Sequence, residues 1–245
     1  MGKYQEVFKR YEKKYIINGE IYIKLLQKLE EYFVPDKFAE SKICNIYFDT
    51  PEHLLIRNSI EKPVYKEKLR IRSYGIPDEN SKVFMELKKK YKGIVYKRRV
   101  VMTLAQSKAF IEEGISPGIN PQIENELRYF LDFYKGIAPA MFLSYKRISL
   151  CGKENPALRI TFDSDITYRD YDILLEKGIY GEKLIDENTR IMELKIPEAM
   201  PLWLSSILDE LKIYPASYSK YGNAYLNTLK KDLTNNNKGT VIISA

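Results

Sequence analysis

Lys68-Leu69-Arg70-Ile71-Arg72 sets a cation at every second position. In an extended strand, that spacing turns Lys68, Arg70 and Arg72 to one face and Leu69 and Ile71 to the other. The plan recurs in Phe84-Met85-Glu86-Leu87-Lys88, where Glu86 and Lys88 share a face, and in Tyr96-Lys97-Arg98-Arg99-Val100, where Lys97 and Arg99 do. An ordinary half-buried strand scatters both charge signs toward water. Here, if the strands pair, one face becomes a field of Lys and Arg with an occasional carboxylate, and the other is Leu, Ile, Val and Met that can pack against helices. Forked guanidinium groups bind phosphoryl oxygens in a bidentate way, and lysines act as point charges. Gathered cations repel one another unless water or a polyanion screens them, so an enclosed field implies an anionic ligand.

The whole chain carries a net charge of +7 over 245 residues, with a pI near 9.0. That balance favours nucleic acid, a phosphorylated metabolite or an anionic membrane as partner, without choosing among them. Cys44 and Cys151 lack metal or disulfide spacing, so a reducing, cytoplasmic setting is expected. The polar start, Met1 to Arg10, has no apolar targeting segment, and no run reaches the roughly 18 apolar residues of a spanning helix. His53 is the single histidine, which excludes His-pair zinc sites and reads as structural. No GxxxxGK[ST] loop or GxGxxG fingerprint occurs, so side chains must bind any nucleotide. The 20 tyrosines are dispersed, without an aromatic RNA-binding signature, and belong mostly to core or rim.

In chain order, Phe8 to Ile17 reads as a strand with Arg10, Glu12 and Lys14 on one face. Glu20 to Phe33 carries apolar residues at helical spacing and should be a helix ended before Pro35. Lys42 to Asp49 reads as a strand, Thr50-Pro51 as a turn, and His53 to Asn58 as a further short strand. Reversals at Gly75-Ile76-Pro77-Asp78 and Tyr91-Lys92-Gly93 separate the three charged strands. Thr103 should cap a helix over Leu104 to Glu113, and Pro121 to Tyr134 forms another. Strands are expected at Phe142 to Ser149, Leu158 to Asp163 and Arg190 to Ile196, with Tyr145 and Arg147, then Arg159, Thr161 and Asp163, then Glu193 and Lys195 on shared faces. Helices over Pro201 to Lys212 and Ser219 to Lys231 close the chain. Without regular βαβ alternation the class is α+β. One domain over residues 1–233 is expected, followed by a mobile polar tail over 234–245.

Some of the charged residues have two readings. Glu193 and Glu86 could hold a divalent ion against phosphate oxygens, or pair with Lys195 and Lys88. Ser219, ahead of Lys220, could contribute an anion contact at a helix start or simply cap it.

Taken in order, Glu12-Lys13-Lys14-Tyr15, Tyr47-Phe48-Asp49-Thr50, Lys68 to Gly75, Phe84 to Lys88, Ser144-Tyr145-Lys146-Arg147, Arg159 to Asp163, Met192-Glu193-Leu194-Lys195 and Tyr218-Ser219-Lys220-Tyr221 resemble the VTC domain. This is the polyphosphate-polymerase domain of the vacuolar transporter chaperone complex, of the wider triphosphate tunnel metalloenzyme (CYTH-like) superfamily. The resemblance covers about Arg10 to Tyr225. It implies an antiparallel β-barrel of about eight strands, flanked by helices, with a charged lumen. It also implies phosphate-gripping roles for Lys14, Arg70, Arg72, Lys88, Lys97, Arg147, Arg159, Lys195 and Lys220. Arg99, Tyr145 and Ser219 are expected to contact substrate, and Glu193 to hold Mn²⁺ or Mg²⁺. The superfamily often opens with an ExExK strand, where this chain has Arg10, Glu12 and Lys14, trading an acid for a cation.

The resemblance implies an ATP-dependent polyphosphate polymerase, in which the terminal phosphate of a growing chain or of pyrophosphate attacks the γ-phosphorus of ATP and ADP leaves. ATP, pyrophosphate and polyphosphate are the expected partners; no specific nucleic acid and no membrane span are expected, and a protein partner is left unidentified. Coupled export of the polymer is not expected of this chain alone. A metal-dependent tripolyphosphatase or nucleoside triphosphatase and a non-catalytic polyphosphate-binding module are the alternatives.

Overall fold

A computed structural model describes residues 11–92 and 94–239. Arg10, Gly93 and the end of the expected tail lie outside the described residues. The strands are β1 (Tyr11–Ile17), β2 (Phe33–Asp49), β3 (Tyr65–Tyr74), β4 (Lys82–Tyr91), β5 (Ile94–Thr103), β6 (Ala138–Gly152), β7 (Arg159–Arg169), β8 (Glu182–Lys183) and β9 (Arg190–Ile196). The helices are α1 (Gly19–Leu29), α2 (Leu54–Ile60), α3 (Leu104–Glu112), α4 (Pro121–Phe133), α5 (Leu202–Glu210) and α6 (Lys220–Gly239). The class is α+β, with strand order β1-β9-β7-β6-β2-β3-β4-β5 and β8 on β7. Among the described residues no pairing joins β5 to β1, so the expected closure into a barrel is not seen. No described helix is long and apolar enough to cross a membrane.

The chain forms two compact units from interleaved segments. The first takes residues up to Lys42, Tyr145–Ile166 and Ile185–Tyr218; the second takes Ile43–Ser144, Thr167–Leu184 and residues from Ser219 onward. In the first unit, β1, β9 and β7 pair antiparallel with Lys14 opposite Glu193 and Thr161 opposite Glu193. Strand alternation turns Tyr15, Ile17, Ile160, Phe162, Met192, Leu194 and Ile196 the other way, into a core with Leu25 and Leu29 of α1 and Leu204 and Leu208 of α5. Full burial of each such aliphatic side chain is worth about 1.5–3 kcal/mol.

The second unit repeats the division of faces. Register aligns Tyr47, Arg70, Glu86 and Arg99 in one row across β2, β3, β4 and β5, with Lys68, Lys88 and Lys97 in the row beside it. Phe48, Leu69, Ile71, Met85, Leu87, Val100 and Met102 face the opposite way and pack with Leu104, Phe110, Leu127 and Phe130 of α3 and α4. Thr103 caps α3 as expected, in a capping box with Gln106. Arg169 is buried between the rings of Phe142 and Tyr180 and donates to the carbonyls of Asp172, Leu174, Gly178 and Tyr180.

Several element bounds differ from expectation. Helix α1 stops at Leu29, because Glu30 and Glu31 oppose the negative end of the helix dipole, and Phe33 then begins β2, which runs through Pro35. The segment expected as a short strand over His53 to Asn58 is helix α2. Asp49 accounts for it: its carboxylate accepts the N–H groups of Thr50, Leu55 and Ile56 at 2.8–2.9 Å, meeting the orphan donors of a helix start with negative charge. Strands β6 and β7 run longer than expected, and α6 continues to Gly239.

Candidate functional site

Glu86 is the centre of the charged row in the second unit. Its carboxylate is 1% exposed and is held by Arg70 at 2.6 Å, Lys97 at 2.6 Å and Arg99 at 3.0 Å. The sequence offered Lys88 as its ion-pair partner; the actual partners come from neighbouring strands, because register sets Arg70 and Arg99 directly opposite it. Burial pushes the Glu86 carboxyl up, but Arg70, Arg72 and Lys97 outweigh it and hold the group far below the usual carboxylate range. Lys97 is pulled down to about 8, by burial and by Arg70 and Arg72 against the help of Glu86. Arg72 donates to Asn45 Oδ1 at 3.0 Å, and Lys68 reaches Ser219 Oγ at 3.3 Å. Ser219 also caps α6, accepting the Gly222 N–H at 3.2 Å, and Lys220 opens that helix. Arg70, Arg72, Lys88, Lys97 and Arg99 therefore share one sheet face, with Glu86 as the acid among them.

Sequence reasoning missed the aromatic side of this cluster. Arg70 donates to the Tyr47 hydroxyl at 3.0 Å, the Tyr47 ring stacks on Tyr221 at 4.6 Å, and the Tyr221 hydroxyl donates to Asp49 at 2.9 Å. The signal was present in Tyr47-Phe48-Asp49-Thr50 and Tyr218-Ser219-Lys220-Tyr221, but only the fold joins those stretches.

In the first unit several cations are matched to acids. Arg147 grips the fully buried Asp163 through two bonds of 2.6 and 2.7 Å, with the Tyr145 ring 5.2 Å from its guanidinium carbon. Burial alone would lower the pKa of Arg147, but Tyr145 and Asp163 raise it well above the ordinary value, so the guanidinium stays charged. Lys195 pairs with Glu193 at 3.1 Å, Arg159 with Asp36 at 3.3 Å, and Lys14 donates to the Tyr218 carbonyl at 3.0 Å.

Among the described residues no group of three His, Cys, Asp or Glu side chains is arranged to hold a metal. A hard divalent cation that arrives with its phosphates needs only one or two carboxylates from the protein, and Glu193, in register with Lys14 and Thr161, fits that demand.

The family model for the VTC domain matches residues 9–229. No curated protein matches the chain. Among solved structures, a proposed adenylate cyclase of Bacillus halodurans is 15% identical with a TM-score of 0.51, covering 85% of this chain and 92% of that one. A proposed adenylyl cyclase of Hippeastrum, described as having a dominant triphosphatase activity, is 17% identical with a TM-score of 0.48, covering 86% of this chain and 92% of that one. The first of these likenesses is one of fold alone.

Proposed function

Since the chain belongs to the VTC domain family, we propose that it is a phosphoryl-handling enzyme of the triphosphate tunnel kind, and specifically an ATP-dependent polyphosphate polymerase. The observation that supports this most is the charged row of the second unit, where Arg70, Lys97 and Arg99 surround a single buried carboxylate and Lys68, Lys88 and Arg72 adjoin them. Such an excess of cations on one face suits a substrate rich in phosphoryl oxygens. It leaves no need for a side-chain nucleophile.

Phosphoryl transfer asks the protein mainly to position groups and neutralise charge. Arg70, Arg72 and Arg99 would bind phosphate oxygens through forked donors, and Lys88 and Lys97 would add charge without directional demand. Glu86 would keep Arg70 and Arg99 aimed before substrate arrives, which is the preorganisation that stabilises developing charge most. Lys14, Arg147, Arg159, Lys195, Lys220, Tyr145 and Ser219 are assigned phosphate-binding roles by their place in the family pattern. Glu193 would hold Mn²⁺ or Mg²⁺, which when bound supplies positive charge to the phosphates. The attacking terminal phosphate is already anionic, so no strong base is required.

The row binds phosphates without specifying the acceptor, so a tripolyphosphatase using water rests on the same observation. One experiment separates them: purified protein with ATP, Mn²⁺ and trace pyrophosphate, products resolved as polyphosphate ladders. A ladder lost in Glu193→Gln is the expected result. Orthophosphate without a ladder would replace the polymerase with the hydrolase, and tight polyphosphate binding without turnover would leave a binding module.

A further inference from the structure

Two tyrosines in the second unit stack face to face and are set up for different tasks. Tyr221 is buried, and its hydroxyl is committed to Asp49 at 2.9 Å, whose own carboxylate is fixed by three N–H groups around the start of α2. Tyr47, 4.6 Å away and inclined by only 17°, stands in the charged row opposite Arg70. Its oxygen accepts from Arg70, and among the described residues no group takes its proton. A phenol with a donated hydrogen bond on its oxygen and an unspent O–H can donate to an anion held by the same arginine.

We infer that Tyr47 is a phosphate-contacting residue, donating its hydroxyl to an anion bound at Arg70, and that Tyr221 and Asp49 are positioning residues that fix its ring. The inference rests on reading the charged row as a phosphate site, and on nothing about which acceptor receives the phosphoryl group. The contacts run unbroken from end to end: helix start, carboxylate, phenol, stacked phenol, guanidinium. Lys68 adds to it, lying 6.0 Å from the Tyr221 ring centroid while reaching Ser219. Without Tyr221 the Tyr47 ring would lose the plane it leans on.

The charge around Tyr47 makes this contact sensitive to pH. Arg70, Arg72 and Lys68 act on it from β3, Glu86 of β4 and Arg99 of β5 continue its row, Lys88 and Lys97 stand in the adjoining row, and Tyr221 stacks on it from α6 with its hydroxyl on Asp49. Burial pushes the Tyr47 phenol up, but Arg70, Arg72 and Lys68 overcome this and bring it down to about 8. Tyr221 moves the other way, through burial and Asp49, and stays a donor throughout. Above pH 8 a Tyr47 phenolate has no proton to give and repels an anion.

Calorimetric titration of the full chain with inorganic tripolyphosphate, without metal, between pH 6.5 and 9.5 tests this. Because Lys97 also titrates near 8, the variants are made in a Lys97→Arg chain that keeps the charge, and that chain's own measured affinity and pH profile are the reference for them. Tyr47→Phe, which keeps the stacked ring, is expected to weaken binding about tenfold at pH 7 and to remove the decline through pH 8. Tyr221→Phe, which keeps the stack but drops the Asp49 bond, is expected to weaken binding less and to shift the midpoint of that decline. Unchanged affinity and an unchanged pH profile in Tyr47→Phe would overturn the contact. An unmoved midpoint in Tyr221→Phe would overturn the positioning role. Failure of the parent protein to bind tripolyphosphate would overturn the phosphate-site reading itself, and this inference with it.

Discussion

Charge is balanced in one unit and left in surplus in the other. Asp163 answers Arg147 through a bidentate pair in which the acid is fully buried and the arginine 15% exposed. Glu86 answers Arg70, Lys97 and Arg99, which keep 23%, 43% and 35% of their side-chain surface. Both carboxylates are buried, yet only the second sits among cations that still reach water. A matched buried pair satisfies most of its charge within the fold and leaves a phosphate only the guanidinium's remaining donors, whereas an overmatched acid holds cations in place for something else to neutralise.

The strongest break of this contrast is the joint replacement Arg70→Ala with Arg72→Ala. It should cut turnover on the order of 100-fold or more, with an unchanged far-ultraviolet spectrum. Normal turnover in that variant would remove the row from the site. Next in size is Asp163→Asn, which strands a buried guanidinium and should cost about 3 kcal/mol in urea unfolding, with less recovery on adding tripolyphosphate than Glu86→Gln shows. Glu86→Gln should cost less, because its cations are partly hydrated, and it should bind tripolyphosphate more tightly, with a larger rise in Tm on adding it than the parent shows. Equal responses in the two carboxamide variants would erase the distinction between the units.

The smallest expected effect is in pH dependence. Glu86 is held below its ordinary value of 4.5, so its contribution to stability is present above pH 4.5 and is lost as pH falls through its folded value. Lys97 has the opposite chemistry: folded it titrates at about 8, unfolded near 10.5, so the unfolded chain binds more protons in between and stability rises with pH across that window. Urea unfolding at pH 8 and pH 10 should show that slope, reduced in Lys97→Met.

The charged strands were legible because alternation is local: Lys68, Arg70 and Arg72 declare their shared face without help from the fold. The ends of β3, β4 and β5, and the Thr103 cap, followed from turn and capping chemistry for the same reason. The partners of Glu86 were not legible, since they lie across strands and a one-residue change of register would have exchanged them for apolar neighbours. Helix α2 was misread because Leu54-Leu55-Ile56 suits either element, and the deciding group, Asp49, acts from outside the segment. Tyr47 and Tyr221 were quoted in separate motifs, and only folding stacks them. Closure into a barrel came from resemblance and never from the residues themselves.

Arg169 has a consequence for how this chain can change over time. The segment it holds, from Asp170 to Gly181, has no regular secondary structure, and four of its carbonyls converge on one guanidinium. Backbone oxygens are the same whatever side chain is attached. Much of that loop can therefore drift in sequence while keeping its path, provided Gly178 and Gly181 retain their left-handed turns. The tolerance ends at a single codon: a lysine has three donors at one point and cannot span four separated oxygens, so variety in the loop is underwritten by invariance at Arg169.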